Sequence, residues 1–218
     1  MNETSDRIIN ISGENKPVEH CTVSKQLYHG NGYDISIFSL AKNTEISAES
    51  YEYYKIWIMN GGNAYYFDSN NKTVRINAGK TIITQKNLPI GIKTDSGCVY
   101  TEIGLRKDTI MNQILKSGEI INLAKLLPYQ DGKIINMDLI STEKLKFVLM
   151  SFDSGTGLSE HAAPGEALVF ALDGEATIGY EGKDYVIKSG ETFKFDKFGK
   201  HSVTADSRFK MALLLVPD

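Results

Sequence analysis

Gly157-Leu158-Ser159-Glu160-His161-Ala162-Ala163-Pro164-Gly165-Glu166-Ala167-Leu168-Val169-Phe170-Ala171-Leu172-Asp173-Gly174-Glu175 decides how this chain is read. A polar approach carrying one histidine leads into an apolar run of β-forming residues, which stops at an Asp-Gly pair, a strong turn signal. The first half of the chain contains the same design. A shift of 112 positions (174 − 62) lays Leu27, Ser39, Thr44, Ser47, Gly62 and Ala64 on Leu139, Ser151, Thr156, Ser159, Gly174 and Ala176. After one residue is dropped in the turn at 68–72, a shift of 111 (187 − 76) lays Ile76, Gly79, Thr81, Lys86, Asp95 and Ser96 on Ile187, Gly190, Thr192, Lys197, Asp206 and Ser207. Self-similarity at a fixed offset marks a repeated unit. Under the same alignment His161 falls on Glu49 and His201 on Ile90, so the copies can share at most one histidine site, in the second.

Both copies read as short strands. Ile35-Ser36-Ile37-Phe38-Ser39-Leu40 matches Phe147-Val148-Leu149-Met150-Ser151-Phe152, and Lys55-Ile56-Trp57-Ile58-Met59 matches the run 167–172. Each of the latter pair is expected to end in a glycine turn, Gly61-Gly62 and Asp173-Gly174. Ala64-Tyr65-Tyr66-Phe67 and the run 176–180 follow, then turns at Asn70-Asn71 and Glu181-Gly182-Lys183. Strands at intervals of roughly 8–12 residues with turns between them indicate a sandwich or barrel. The absence of helices between strands excludes βαβ units. A helix is expected only in the connector, capped by Asp108 and carrying Ile110, Met111, Ile114 and Leu115 before Gly118, with a further short turn at 123–127 that Pro128 stops. The domain expectation is 1–107 for the first barrel, 108–130 for the helical linker and 131–218 for the second barrel.

Composition narrows the function. With 41% hydrophobic and 23% charged residues and a net charge of −3, the 218-residue chain is an ordinary globular sequence. It lacks the basic footprint of a nucleic-acid binder. The first 16 residues do not read as a signal peptide, and the apolar run 211–216 is far shorter than the roughly 20 residues needed to span a bilayer. Cys21 and Cys98 show no disulfide or zinc spacing, which points to free thiols and a cytoplasmic protein. No nucleophile elbow, phosphate loop or dinucleotide fingerprint is present.

The stretch 157–175, with Gly190-Glu191-Thr192-Phe193-Lys194-Phe195-Asp196 and Gly199-Lys200-His201-Ser202-Val203, resembles the two motifs of the cupin superfamily. The repeat then implies a two-domain cupin, all-β, with two tandem jelly-roll barrels joined by the linker. In metal-binding cupins the first motif supplies two His and a Glu, and the second motif the last His. By that resemblance His161 is the first ligand and His201 the last, but Ala163 and Ala167 stand at the other two positions. Glu166 is one residue from the Glu position, and one step along a strand turns a side chain to the opposite face. It could serve only if a bulge near Pro164-Gly165 re-aims it. In the first copy the four positions hold Glu49, Tyr51, Lys55 and Ile90, which cannot hold a divalent cation.

Three readings of the second barrel follow, one of which takes both histidines as structural. His161, His201 and Glu166 could form a minimal open metal site for Fe, Mn, Ni or Zn. Alternatively, with no cofactor, the two imidazoles bind a carboxylate or hydroxyl or act as acid and base. Met150, Phe170 and Phe193 are the candidate pocket wall. Phe193 and Phe195 share a face near His201, as core or as wall, and His201 is read as closing the strand that begins at Thr192. Trp57, Tyr53, Tyr54, Tyr65 and Tyr66 are read as alternately filling the first barrel, and His20 and His29 as solvated. The functional expectation is a small-molecule-binding bicupin, with or without a weakly held divalent metal, and a homodimer. The alternative is a metal-dependent enzyme of the dioxygenase, decarboxylase or sugar isomerase kind.

Overall fold

A computed structural model describes residues 1–30, 32–106 and 109–217. Its strands are β1 (Ile8–Ile9), β2 (Thr22–Gly30), β3 (Tyr33–Leu40), β4 (Thr44–Glu49), β5 (Tyr54–Asp68), β6 (Thr73–Asn77), β7 (Thr81–Ile83), β8 (Ile90–Thr94), β9 (Cys98–Leu105) and β10 (Ile120–Ile121). There follow β11 (Ile134–Ser141), β12 (Lys146–Phe152), β13 (Thr156–Ala162), β14 (Gly165–Tyr180), β15 (Lys183–Lys188), β16 (Thr192–Phe195), β17 (Lys200–Ala205) and β18 (Phe209–Pro217). The matching runs 35–40 and 147–152 are most of β3 and most of β12.

The chain divides into two compact units. The N-terminal unit comprises Met1–Asn2, Ile11–Thr109 and Leu115–Asn122; the C-terminal unit comprises Glu3–Asn10, Ile110–Ile114 and Leu123–Asp218. This partition differs from 1–107, 108–130 and 131–218. Residues 3–10 join the C-terminal unit, where β1 pairs with β16 through Ile8↔Phe193 and Ile9↔Thr192. The connector is divided between the units, giving β10 to the N-terminal one and the 3-10 turn Leu123–Lys125 to the C-terminal one.

Within the N-terminal unit the strand order is β10-β7-β5-β9-β3-β2, with β6 and β8 on β5 and β4 on β8. Within the C-terminal unit it is β1-β16-β14-β18-β12-β11, with β15 and β17 on β14 and β13 on β17. Apart from the outermost strands β10 and β1, the two orders correspond strand for strand under the sequence repeat. Each unit buries its own core: Trp57, Tyr66 and Tyr100 with Ile76, Ile82 and Ile92 in one, Phe152, Phe193, Phe195 and Phe209 in the other.

Two expectations are corrected. Residues 109–119 contain no helix. The expected apolar stripe has nothing to bury against: Ile110 is 87% and Ile114 40% exposed, while Met111 makes an isolated bridge to Ile140. A helix this short is marginal in water without such a face. Its cap, Asp108, lies outside the described residues. Further along, Leu123–Lys125 is a 3-10 turn, close to where a short turn was expected.

The second correction concerns the glycine turns. Gly61-Gly62 and Asp173-Gly174 do not separate strands. β5 and β14 run through them as single long strands, with register shifts between Met59 and Gly61 and between Ala171 and Asp173. An irregularity of this kind bends a strand without ending it, so one strand can pair on both sides of the bend. The bend requires glycine: Gly62 and Gly174 both have φ +71°, and a Cβ on them would lie 2.2 Å from the Gly97 carbonyl oxygen and 2.0 Å from that of Arg208.

Gly174→Ala should therefore lower the urea midpoint more than Gly190→Ala, measured by circular dichroism. Gly190 has φ +90°, and a Cβ there would have nothing within 4 Å, so only backbone strain of about 1–3 kcal/mol applies. Gly174→Ala adds a backbone clash; equal midpoints would contradict this account of the bend.

Candidate functional site

β13 and β17 pair antiparallel with Leu158 opposite Val203 and His161 opposite His201. Three steps along β13 match two along β17, so one extra residue is accommodated at Ser159–Glu160, which makes a local bulge. The N-terminal unit has the same irregularity, with Ile46 opposite Ile92 and Glu49 opposite Ile90. The sequence alignment of His161 with Glu49 and His201 with Ile90 thus reappears as equivalent cross-strand pairs.

Directly opposed residues share a face of the sheet, and the imidazoles meet with ring centroids 4.3 Å apart at 55°. His161 is exposed and His201 is buried. Nδ1 of His161 lies 2.9 Å from the Ser159 carbonyl oxygen and Nδ1 of His201 lies 2.9 Å from that of Gly199. A carbonyl oxygen only accepts, so both Nδ1 atoms carry the proton and donate. In the neutral rings both Nε2 atoms are left as acceptors, and neither has a partner among the described residues. Phe195 stacks on His201 at 4.0 Å and 16° and fixes the ring plane. Burial pushes the His201 imidazole below its ordinary value; the Gly199 carbonyl opposes this and the neighbouring His161 adds to it.

The remaining expected site residues divide between two faces. Ala167, Val169 and Ala171 of β14 point into the core with Phe195, so Glu166 and Phe170 belong to the opposite face. No register shift occurs near Pro164-Gly165, and Glu166 is not re-aimed. It pairs with Lys194 instead, Oε1 to Nζ 2.8 Å, and Lys194 also reaches Asp196 Oδ1 at 2.6 Å. Asp196 further accepts hydrogen bonds from the Tyr180 hydroxyl at 3.1 Å and from Ser5. Burial alone would depress the Lys194 ammonium, but Asp196 and Glu166 more than offset it and hold Lys194 above its ordinary value. Burial would likewise raise Glu166, and Lys194 reverses that. Phe170 is buried but away from the imidazoles.

Met150 is half-buried on the inner face, packed on the core cluster. Phe193 is core, with its ring against Tyr180, Tyr185 and Phe195. The aromatic beside the histidines is Phe195. The two backbone acceptors, each two residues before its histidine, leave no side-chain signal in the sequence. His201 does not close the strand from Thr192: a turn containing Phe198 at φ +63° separates β16 from β17. His20 is exposed beside Glu19, and His29 pairs with Asp34; both belong to the N-terminal unit. Cys21 and Cys98 are free thiols.

The family described as Cupin domain matches residues 148–217. A structure described as a Cupin 2 conserved barrel domain protein from Leptotrichia buccalis is 30% identical, with TM-score 0.86, over 99% of this chain and 98% of that one. The chain belongs to the cupin family. More distant structures share the fold with this cupin. A salicylate 1,2-dioxygenase variant from Pseudoaminobacter salicylatoxidans has TM-score 0.65 at 12% identity over 98% of this chain and 85% of that one. Protein Ylba from E. coli has TM-score 0.60 at 12% identity over 96% and 89%. No curated protein matches this cupin, and among the described residues no helix is long and apolar enough to cross a membrane.

The donor set does not fit the metal that the family resemblance implies. Among the described residues no three His, Cys, Asp or Glu side chains come together as a ligand group. Glu166, the one carboxylate expected to join the histidines, is held by Lys194.

The depressed His201 gives a pH signature. Its folded value lies below the unfolded 6.5, so the folded state takes the proton less readily than the unfolded chain, and stability falls as pH drops below about 6.5. The thermal midpoint of the wild type should therefore fall more steeply between pH 7 and pH 5 than that of His201→Phe. Parallel profiles would show that His201 does not contribute.

Proposed function

We propose that this cupin binds a small molecule at His161 and His201 in its C-terminal unit. We also take the chain to be a bicupin, whose N-terminal unit keeps the strand order but carries Glu49 and Ile90 at the equivalent positions. The observation that carries the reading is the shared hydrogen-bond pattern of the two rings. Each Nδ1 is committed to a backbone carbonyl, so the neutral pair offers two adjacent Nε2 acceptors.

That chemistry selects the ligand. Two acceptors side by side favour a molecule presenting two hydrogen-bond donors, such as neighbouring hydroxyl groups or a protonated hydroxy acid. A deprotonated carboxylate offers only acceptors and would require the rings to be protonated, which the burial of His201 resists. Phe195, stacked on His201, supplies an apolar surface on the inner side. Because the two histidines gather no third ligating side chain among the described residues, the binding is assigned to the imidazoles alone.

Thermal shift assays with sugars, polyols and hydroxy acids, together with native mass spectrometry of the purified protein, test the reading. A stabilising compound or retained adduct should bind roughly tenfold or more weakly to His161→Ala and His201→Ala. Glu49→Ala should leave it unchanged. Compounds that stabilise both histidine variants as well as the wild type would overturn the assignment.

A further inference from the structure

The N-terminal unit lacks the histidine pair, yet it holds a buried ion pair beside a cavity. Lys55 on β5 lies 3.1 Å from Glu102 Oε1 on β9, the two side chains being 10% and 14% exposed. Trp57 donates from Nε1 to the other carboxylate oxygen at 2.7 Å. The ammonium also sits 3.5 Å from the centre of the Tyr51 ring. Lys55, Glu102, Trp57 and Tyr51 line a cavity of about 70 Å³, whose apolar side includes Phe38 and Tyr100, stacked at 5.1 Å.

An ammonium has three N–H donors. One meets Glu102 and a second face meets the Tyr51 π cloud; no other oxygen is in reach of Nζ among the described residues. A buried donor without an acceptor is costly, and here it borders empty space. The volume corresponds to about two waters at roughly 30 Å³ each, enough for a molecule of a few heavy atoms. The ion pair is neutral overall. An anion would meet the Glu102 carboxylate, with Glu49 nearby at the Tyr51 hydroxyl. A cation would meet Lys55, which already occupies the aromatic face.

We infer that the N-terminal unit is a second binding site, for a small uncharged molecule that presents a carbonyl or hydroxyl oxygen to Lys55 and an apolar body to Trp57 and Tyr100. The site is independent of the histidine pair, and Lys55 stands at a position where the family resemblance places a metal ligand, so a side-chain cation occupies that position here.

Trp57 is the only tryptophan in the chain, so its fluorescence reports on this cavity. The full-length protein is titrated with acetamide and with propane-1,2-diol as neutral probes, and with acetate and methylammonium as charged ones. A saturable change in Trp57 emission in the millimolar range is expected with at least one neutral probe and with neither ion. Lys55→Met should weaken it about tenfold or more, and His161→Ala should leave it unchanged, so failure here is separable from failure of the histidine site. Lys55→Met leaves Glu102 buried and unpaired, so Lys55→Met with Glu102→Gln is measured beside it and should lose the response while remaining folded. The inference is overturned by a linear response to every probe, by preferential saturation with acetate or methylammonium, or by an unchanged response in the double variant.

Discussion

Gly174 sits at φ +71° with the Arg208 carbonyl oxygen where a side chain would begin, and the C-terminal unit is organised around the bend this permits. Before the bend β14 pairs with β16 and β18; beyond it β14 pairs with β15 and β17. Because β17 is carried by the far half of β14, the position of His201 depends on that half, and β13 brings His161 to it in turn. The histidine pair is thus a product of strand pairing, built on two strands separated by some 40 positions in sequence. The N-terminal unit uses the same bend at Gly62 and arrives at the same paired positions, with different side chains on them.

Much of this was legible in the sequence because a repeat compares the chain with itself. The offset that lays Gly62 on Gly174 also means that a pair facing across β13–β17 has its counterpart across β4–β8, since cross-strand partners must shift together when two units share a register. The histidine pair was legible through the cupin resemblance, which sets His161 and His201 at two positions of one site. The connector was not. Ile110, Met111, Ile114 and Leu115 have helical spacing, but spacing states only that a face could exist, and burial decides whether it does. The glycine pairs misled in the other direction: Asp-Gly signals a turn locally, whereas a partner strand on each side converts it into a bulge. Glu166 shows a further limit. Its place in the sequence next to a ligand position suggested a shared site, while the two-residue pleat put it on the opposite face with Lys194.

The two units treat buried charge in parallel ways. Lys55 is paired with Glu102 against an aromatic ring, and Lys194 with Glu166 and Asp196. Removing either cation alone would leave carboxylates desolvated and uncompensated, which costs more than the pair contributes. Such pairs restrict substitution more than they add stability. A unit without the histidines can therefore still be held to a particular interior chemistry, as the Lys55–Glu102 pair holds the N-terminal unit.

The covering of the outer strands has a consequence for how the chain is made. Strand β16 is completed by Ile8–Ile9, some 185 positions earlier, whereas its counterpart β7 is completed by the much nearer Ile120–Ile121. During synthesis the N-terminal unit can acquire its last strand soon after its other strands have emerged. Residues 3–10 leave the ribosome ahead of the other strands of both units and cannot pair with β16 until it exists. The ordering of the two units is therefore asymmetric in time although their strand orders are alike. An early segment of the polypeptide is the finishing piece of its late unit, and a fusion or trimming close to residue 3 acts on the edge of the unit that carries the histidines.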